Sequence, residues 1–450
     1  MKPIAYHSSG LPTFPARTES SSVEGRTQDR SDSEGLDRRG FLRASVTASL
    51  GSLFVAGGGP TQLQAFAASA PAGSDPAGAD IGSLFPFVNS QAIHGEFPLS
   101  FLNSRFRSVR KWKKTARGKL LDLLHYSPPS CSPAAETTER IDCGDYYRER
   151  VKFNTTPDVR VPAFVLVPKN VPLPAPAIVA LHDHGGFYLW GKEKIVALPE
   201  ENPALQDFRK DYYGGKSIAI ELVRQGYIVV VIDMFYWGER RLMLDGDPAD
   251  WRDRPSTLSK ERIQAFNARA GQNEQLVGRT IYSAGFTWPG VMFWDDIRTV
   301  DYLLSRPDVD PRRIGCVGLS VGGLRSCHLA ALDDRIRAAV VVGWMASFPW
   351  QLHKHIRNTI GFTKVVPGLY QHLDYPDVAS LAMPTPLLVI NGSKDALFHL
   401  DGVKASFAKL NACYTKAGAA DHCRTRLYDT PHEFNGEMQA EAWEWLRRWV

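Results

Sequence analysis

The sequence predicts an open, doubly wound α/β sheet, mostly parallel, with helices on both faces and lid-like insertions. Three observations carry that prediction. Short runs dense in Val, Ile and Ala recur along the chain and are apolar at successive positions, as strands covered on both faces require. Helical stretches or turn residues separate them. The string Gly318-Leu319-Ser320-Val321-Gly322-Gly323 stands between one such run and a helical stretch, the setting of a strand-to-helix elbow that exposes a nucleophile.

Taken in chain order, the first residues read apart from the rest. Residues 1 to 40 are polar and rich in Ser, Gly and mixed charge, a composition that buries too little surface to order itself. Asp37-Arg38-Arg39-Gly40-Phe41-Leu42-Arg43 then precedes a moderately apolar run from Ala44 to Ala56 and the small-x-small string Ala65-Phe66-Ala67. Residues 1–67 therefore look like a twin-arginine signal peptide. Ser45, Thr47, Ser49, Gly51 and Ser52 interrupt the apolar run, which falls short of the ~18 residues that span a bilayer. No stable membrane span is expected; the mature protein is expected in the periplasm or outside the cell, with the export machinery as a transient partner.

Ala68 to about Ala79 is Ala/Ser/Gly/Pro-rich and reads as a linker, and residues 68–100 as a whole are expected as the linker before a catalytic domain over 101–450. Within residues 101 to 125, Phe106, Val109, Trp112, Leu120, Leu121 and Leu124 recur at mostly helical spacing and predict a basic amphipathic helix. Tyr146 to Val167 turns strand-like on both sides of a Thr-Pro-Asp turn, an antiparallel start to the sheet. Buried strands are expected next at Ala177–Leu181, Tyr227–Ile232, Ile314–Val317, Ile336–Val342, Pro386–Ile390 and Thr425–Tyr428. Two connections are longer than such units need, about 234–293, with a helix from about Ser259 to Gly278, and 344–385. Both come after sheet strands, where lids and binding loops sit.

Composition narrows the function. The 450 residues are 44% hydrophobic and carry 53 Lys plus Arg against 48 Asp plus Glu, an ordinary globular profile with a formal charge of +5. No stretch combines Lys/Arg clustering with interleaved aromatics, so nucleic acid is not an expected partner. Six scattered cysteines include no C-x-x-C spacing and are too few for a disulfide scaffold, although Cys413 and Cys423 could pair if geometry allowed.

The chemistry centres on Ser320. A serine on a tight elbow needs small neighbours, which Gly318 and Gly322 supply, and the N–H of Val321 at the helix start can stabilise an oxyanion. A serine hydroxyl needs a histidine base, itself oriented by a carboxylate. Asp395 comes after one strand in Asn391-Gly392-Ser393-Lys394-Asp395, and His432 after the last strand in Thr430-Pro431-His432. All three stand at the carboxyl ends of their strands, so one sheet edge can gather them. His182-Asp183-His184-Gly185-Gly186-Phe187 comes after another strand, and an N–H near Gly186 or Phe187 is the expected second oxyanion donor. Read as metal ligands, His182, Asp183 and His184 have no second cluster to complete a site; no metal and no cofactor are expected.

Several of these motifs together resemble the α/β-hydrolase superfamily over roughly residues 105 to 450. They are His184-Gly185-Gly186, the strand-end Asp233 with Gly238-Glu239-Arg240, and the stretch from Asp296-x-Arg298 and Asp301-Tyr302-Leu303 through Arg306-Pro307 to the elbow. The Asp395 and His432 blocks complete the set. Within the superfamily the chain is similar to the dienelactone hydrolase-like and acetyl xylan esterase-like branch. Dienelactone hydrolases proper use a cysteine nucleophile, so Ser320 points away from their lactone opening and toward simple ester hydrolysis.

The expected activity is that of a secreted serine esterase with Ser320, His432 and Asp395 as triad, acting on a small-molecule or carbohydrate ester, by implication of the resemblance an acetyl ester. Tyr188, Trp190 and Trp237, on loops near the site, are candidate substrate contacts because sugars stack on such rings, as they are for ordinary apolar pockets. A serine peptidase of the prolyl-oligopeptidase type uses the same triad, and a catalytically silent binding protein can share the fold. The first usually carries a large β-propeller and the second usually lacks a triad member.

Overall fold

The computed structural model describes residues 75–450; residues 1–67, expected as an export signal, and the start of the expected linker lie outside the described residues. Nine strands form one sheet: β1 (Glu136–Asp142), β2 (Tyr146–Thr156), β3 (Val159–Pro168), β4 (Ala175–Leu181), β5 (Ile228–Ile232), β6 (Val309–Leu319), β7 (Ile336–Val342), β8 (Leu387–Gly392) and β9 (Cys423–Tyr428). Their order is β1-β2-β3-β5-β4-β6-β7-β8-β9. The pairs β1–β2, β2–β3 and β3–β5 are antiparallel, and every pair from β5 to β9 is parallel.

Strand alternation divides the core into two layers. Val179 and Leu181 of β4 pack in one layer and Ile178 and Ala180 in the other, as a period of two dictates. Helices Val109–Leu124, Trp288–Leu304, Val321–Leu332 and Leu400–Lys416 cover the first face; Ile218–Arg224 and Gly436–Trp449 cover the second. Burial on both faces is why the central strands read as unbroken apolar runs.

Local chemistry sets the helix ends. The Val109–Leu124 helix starts where the Ser108 hydroxyl accepts the Lys111 N–H, satisfying one otherwise orphaned donor. It is anchored by Trp112, fully buried, whose indole N–H donates to the Leu99 carbonyl at 2.7 Å. Residues 101–108, expected to open this helix, form turns instead because the cap lies at Ser108.

Three further boundaries differ from the sequence reading. Residues 75–100, read as linker, include a short helix, Phe85–Ser90, and bury Phe85 and Phe97 against the domain. The Asp80 N–H donates to the His353 carbonyl and the Leu99 N–H to the His372 carbonyl, each at 2.9 Å, tying the segment to the 344–385 insertion. β1 escapes the apolar pattern because Glu136–Asp142 is an exposed, charged edge strand, held by backbone pairing with β2. The insertion helix runs Lys260–Ser283, beyond the expected Gly278, and from Trp288 onward the 234–293 stretch belongs to a sheet-covering helix.

All six cysteines are free thiols, Cys413 and Cys423 included. No helix among the described residues is long and apolar enough to cross a membrane.

Candidate active site

Ser320 sits between β6 and the helix Val321–Leu332 with φ 59° and ψ −123°, a positive-φ conformation that a side chain rarely adopts. Its N–H donates to the Val342 carbonyl at 2.8 Å, which ties the elbow to β7. The surrounding glycines are steric necessities. A Cβ on Gly318 would lie 2.4 Å from the Gly322 carbonyl, and one on Gly322 would lie 2.0 Å from the Leu181 carbonyl oxygen. The elbow therefore presses against the end of β4, where the histidine- and glycine-rich turn begins.

Asp395 and His432 meet at the ends of β8 and β9. The His432 Nδ1 stands 2.6 Å from Asp395 Oδ2, and the other carboxylate oxygen accepts the Leu397 N–H at 3.0 Å. A carboxylate only accepts, so Nδ1 carries the proton and Nε2 keeps its lone pair. Two glycines open the space. A Cβ on Gly392 would lie 2.3 Å from the Thr430 carbonyl oxygen, and one on Gly343, at φ 60°, would come within 3.0 Å of the His432 ring. Ser320 and Asp395 are buried, and the His432 side chain is 17% exposed, enough for contact with a ligand at the sheet edge.

The turn after β4 differs in one respect from expectation. Gly185 and Gly186 both have positive φ, at 55° and 63°, and the Phe187 N–H closes the turn on the His184 carbonyl at 3.3 Å. The Gly186 N–H donates to His184 Nδ1 at 3.0 Å. Both N–H groups expected as oxyanion donors are thus directed back onto His184. The His184 carbonyl itself accepts from Lys194 at 2.8 Å and from the Trp237 indole at 3.2 Å. The trans peptide turns the Gly185 N–H to the opposite side.

His184 is held from the insertion. Its Nε2 lies 2.7 Å from Glu274 Oε1 on the Lys260–Ser283 helix, so Nε2 carries the proton and Nδ1 is free to accept from Gly186. His182 is fixed in the other tautomer: its Nε2 accepts the Met234 N–H at 3.1 Å and its Nδ1 donates to the Asp183 carbonyl at 2.9 Å. Burial, with Lys194 and Arg325 nearby, holds His182 well below the usual imidazole range. Every ring nitrogen of the two histidines has a protein partner.

A buried charge network underlies this turn and was not read from the sequence. Lys192, fully buried, donates to Asp233 at 2.7 Å and Glu239 at 2.6 Å. Burial alone would raise the Glu239 carboxyl, but Lys192 and Arg150 outweigh it and bring it to about 2. Asp233 also accepts the N–H groups of Lys192 and Glu239, and a Cβ on either Gly191 or Gly238 would come within 2.3 Å of it. Lys194 holds the carbonyls of Asp183 and His184, and burial pulls its ammonium down to about 8 against the opposing charge of Asp183. Arg325 makes a bidentate pair with Asp296 at 2.6 and 3.0 Å, both groups fully buried, which fixes the elbow helix to the helix Trp288–Leu304. Lys192, Glu193 and Lys194 are adjacent charged residues, and the enclosing fold makes all three core elements. Lys192→Met leaves Asp233 without its cation and Glu239 with Arg150 alone, and is expected to lower stability by about 3 kcal/mol in urea denaturation; a loss below about 0.5 kcal/mol would show that the network contributes little.

Tyr188, Trp190 and Trp237, expected as substrate contacts, are instead buried. Tyr188 and Trp237 stack at 5.0 Å, and Tyr188 packs edge-on against Tyr236 at 5.7 Å. They lie on loops, as the sequence indicates, and the Lys260–Ser283 helix docks on the first of them: Asn267 Oδ1 accepts the Tyr188 N–H at 2.9 Å, and a Cβ on Gly271 would lie 3.5 Å from the Tyr188 hydroxyl. Of the aromatics in this stretch, Phe187 keeps a partly open ring. Cys327, seven residues beyond Ser320, is buried, and burial pushes its thiol up, away from nucleophilic reactivity.

A serine elbow, a histidine–carboxylate pair and a glycine turn, gathered at the carboxyl edge of a mostly parallel sheet, define the α/β-hydrolase class. The chain belongs to this superfamily. Residues 93–249 match the Abhydrolase family and residues 210–405 the Dienelactone hydrolase family. YtaP of Bacillus subtilis (strain 168), named as a hydrolase, is 30% identical over 291 residues, covering 65% of this chain and 84% of its own. Among solved structures, a protein of Bacteroides fragilis NCTC 9343 named as an acetyl xylan esterase superposes with a TM-score of 0.57 at 19% identity, over 77% of this chain and 82% of its own. A glucuronoyl esterase from Solibacter usitatus superposes with a TM-score of 0.54 at 16% identity, over 80% and 99%.

Proposed function

We propose that the protein is a secreted serine esterase that hydrolyses short-chain acyl esters, acetyl esters of carbohydrates above all, through an acyl-enzyme. The observation that carries this reading is the 2.6 Å bond between His432 Nδ1 and Asp395 Oδ2, formed at the same sheet edge as the Ser320 elbow. His432 Nε2 takes the hydroxyl proton as Ser320 Oγ bonds to the ester carbonyl carbon. The Val321 N–H, an unpaired donor at its helix start, stabilises the oxyanion, and the Gly185 N–H is the second donor in place of Gly186 and Phe187. Collapse of the tetrahedral intermediate breaks the ester C–O bond, and His432 returns the proton to the departing alcohol. Water, activated by His432, then releases the carboxylic acid and restores Ser320.

The carbohydrate part of the reading draws on the names of two structural relatives, an acetyl xylan esterase and a glucuronoyl esterase. Its export rests on the paired Arg38 and Arg39 and the apolar run behind them. The test is labelling by a fluorophosphonate probe, mapped by peptide mass spectrometry, together with acetate release from acetylated xylan. Labelling at Ser320 with acetate release is expected. An unlabelled Ser320 in folded protein removes the serine mechanism; labelling without acetate release from xylan removes the acetyl-carbohydrate specificity.

A further inference from the structure

A cleft of about 600 Å³ lies between the helix Pro203–Tyr213 and the start of the Lys260–Ser283 helix, within the size range of small-molecule sites. Its wall is a shelf of three rings. Phe187 and Phe208 stack at 4.9 Å with their planes 9° apart, and Tyr212 lies beyond them at 4.7 Å from Phe208. The rims are polar: Asp207 and Asp211 stand one helical turn apart on one side, and Lys260 and Gln264 on the other. Asp207 is paired with Lys210 at 3.2 Å, which leaves Asp211 as the unpaired rim carboxylate among the described residues.

The shelf is tied at both ends to loops that carry residues of the proposed site. Phe187 and Gly185, which also lines the cleft, belong to the turn after β4. At the far end the Tyr212 carbonyl accepts the Phe434 N–H at 2.8 Å, two residues beyond His432. The cleft is therefore built in part from the turn that carries the Gly185 N–H and is joined by a backbone hydrogen bond to the loop that carries His432.

We infer that this cleft binds the alcohol portion of the substrate as an uncharged oligosaccharide, its ring faces on Phe187 and Tyr212 and its hydroxyls on Asp211 and Gln264. The inference rests on the proposed esterase activity and adds to it a place and a chemistry for the leaving group. Aromatic faces favour the C–H faces of a pyranose, and the exposed polar rims supply hydroxyl partners that an acyl chain would leave unused. One carboxylate facing one ammonium across the opening gives no net charge to attract a polyanion.

The experiment compares Tyr212→Ala with the unaltered protein in two assays. In the first, unesterified xylotetraose is titrated by isothermal calorimetry, a readout that needs no hydrolysis; affinity is expected to fall about fivefold. In the second, KM for acetylated xylotetraose is expected to rise about fivefold more than KM for p-nitrophenyl acetate. Binding of xylotetraose without hydrolysis of any ester would overturn the esterase reading and leave the cleft standing. No binding of xylotetraose, or equal effects on both esters, overturns the cleft. Selective loss with p-nitrophenyl octanoate assigns it to an acyl chain and overturns the inference, as does tighter binding of an acidic xylo-oligosaccharide bearing glucuronic acid. If Tyr212→Ala fails to fold, Gln264→Ala on the exposed rim reads the same KM ratio.

Discussion

Ser320→Ala is expected to abolish hydrolysis of p-nitrophenyl acetate, with kcat falling by on the order of 10⁴-fold or more. The substitution removes one oxygen, the atom that forms the acyl bond, and keeps the Cβ around which the elbow is already built. Alanine meets the same positive φ of 59° that serine does, so the strain of the turn is unchanged. The elbow's other supports, the Ser320 N–H to Val342 and the close fit of Gly322 on Leu181, are backbone contacts and persist. Thermal stability should therefore stay within about 1 kcal/mol of the unaltered protein while activity vanishes. Activity retained within tenfold in the purified variant would remove Ser320 from the chemistry.

Asp395→Asn is expected to lower kcat by about 10⁴-fold with little change of fold. Asparagine has the same shape and can still accept the Leu397 N–H through its oxygen. The group then facing His432 Nδ1 at 2.6 Å can be an amide N–H, which calls for an acceptor and moves the imidazole proton to Nε2. The base is then protonated on the side that should receive the serine proton. Steady-state kinetics with p-nitrophenyl acetate, alongside a melting curve, checks both halves. A loss smaller than tenfold would mean that another group orients the histidine.

These two predictions concern residues that were legible in the sequence, and the reason is local. Ser320 and Asp395 come after apolar strands and His432 after the partly exposed last strand, each at the carboxyl end, so chain order and strand position place all three near one edge before any contact is known. The strands themselves were legible because burial on both faces leaves an unbroken apolar signature. β1 was not, because an exposed edge strand of charged residues is held by backbone bonds that no side-chain pattern reports.

The aromatic residues of the turn after β4 show the opposite limit. Tyr188, Trp190 and Trp237 are as suited to a sugar as Phe187 by type and position, yet the assembled fold buries the three and leaves Phe187 partly open. Which face of a ring is covered depends on an element distant in the chain, whose docking no local pattern encodes. Lys192, Lys194 and Arg325 pose the same problem, because their partners Asp233, Asp183 and Asp296 become neighbours only once the sheet has assembled.

By itself the sequence determined the sheet, its burial on both faces, the elbow and the order of the three polar residues at its edge. These depend on period, chain order and steric need within a few residues. The tertiary structure alone decided which turn N–H groups stay free, which aromatic rings remain open and which charges are buried in pairs. Each of those depends on the approach of distant segments, where a single carbonyl turned toward Lys194 redirects the peptide next to it.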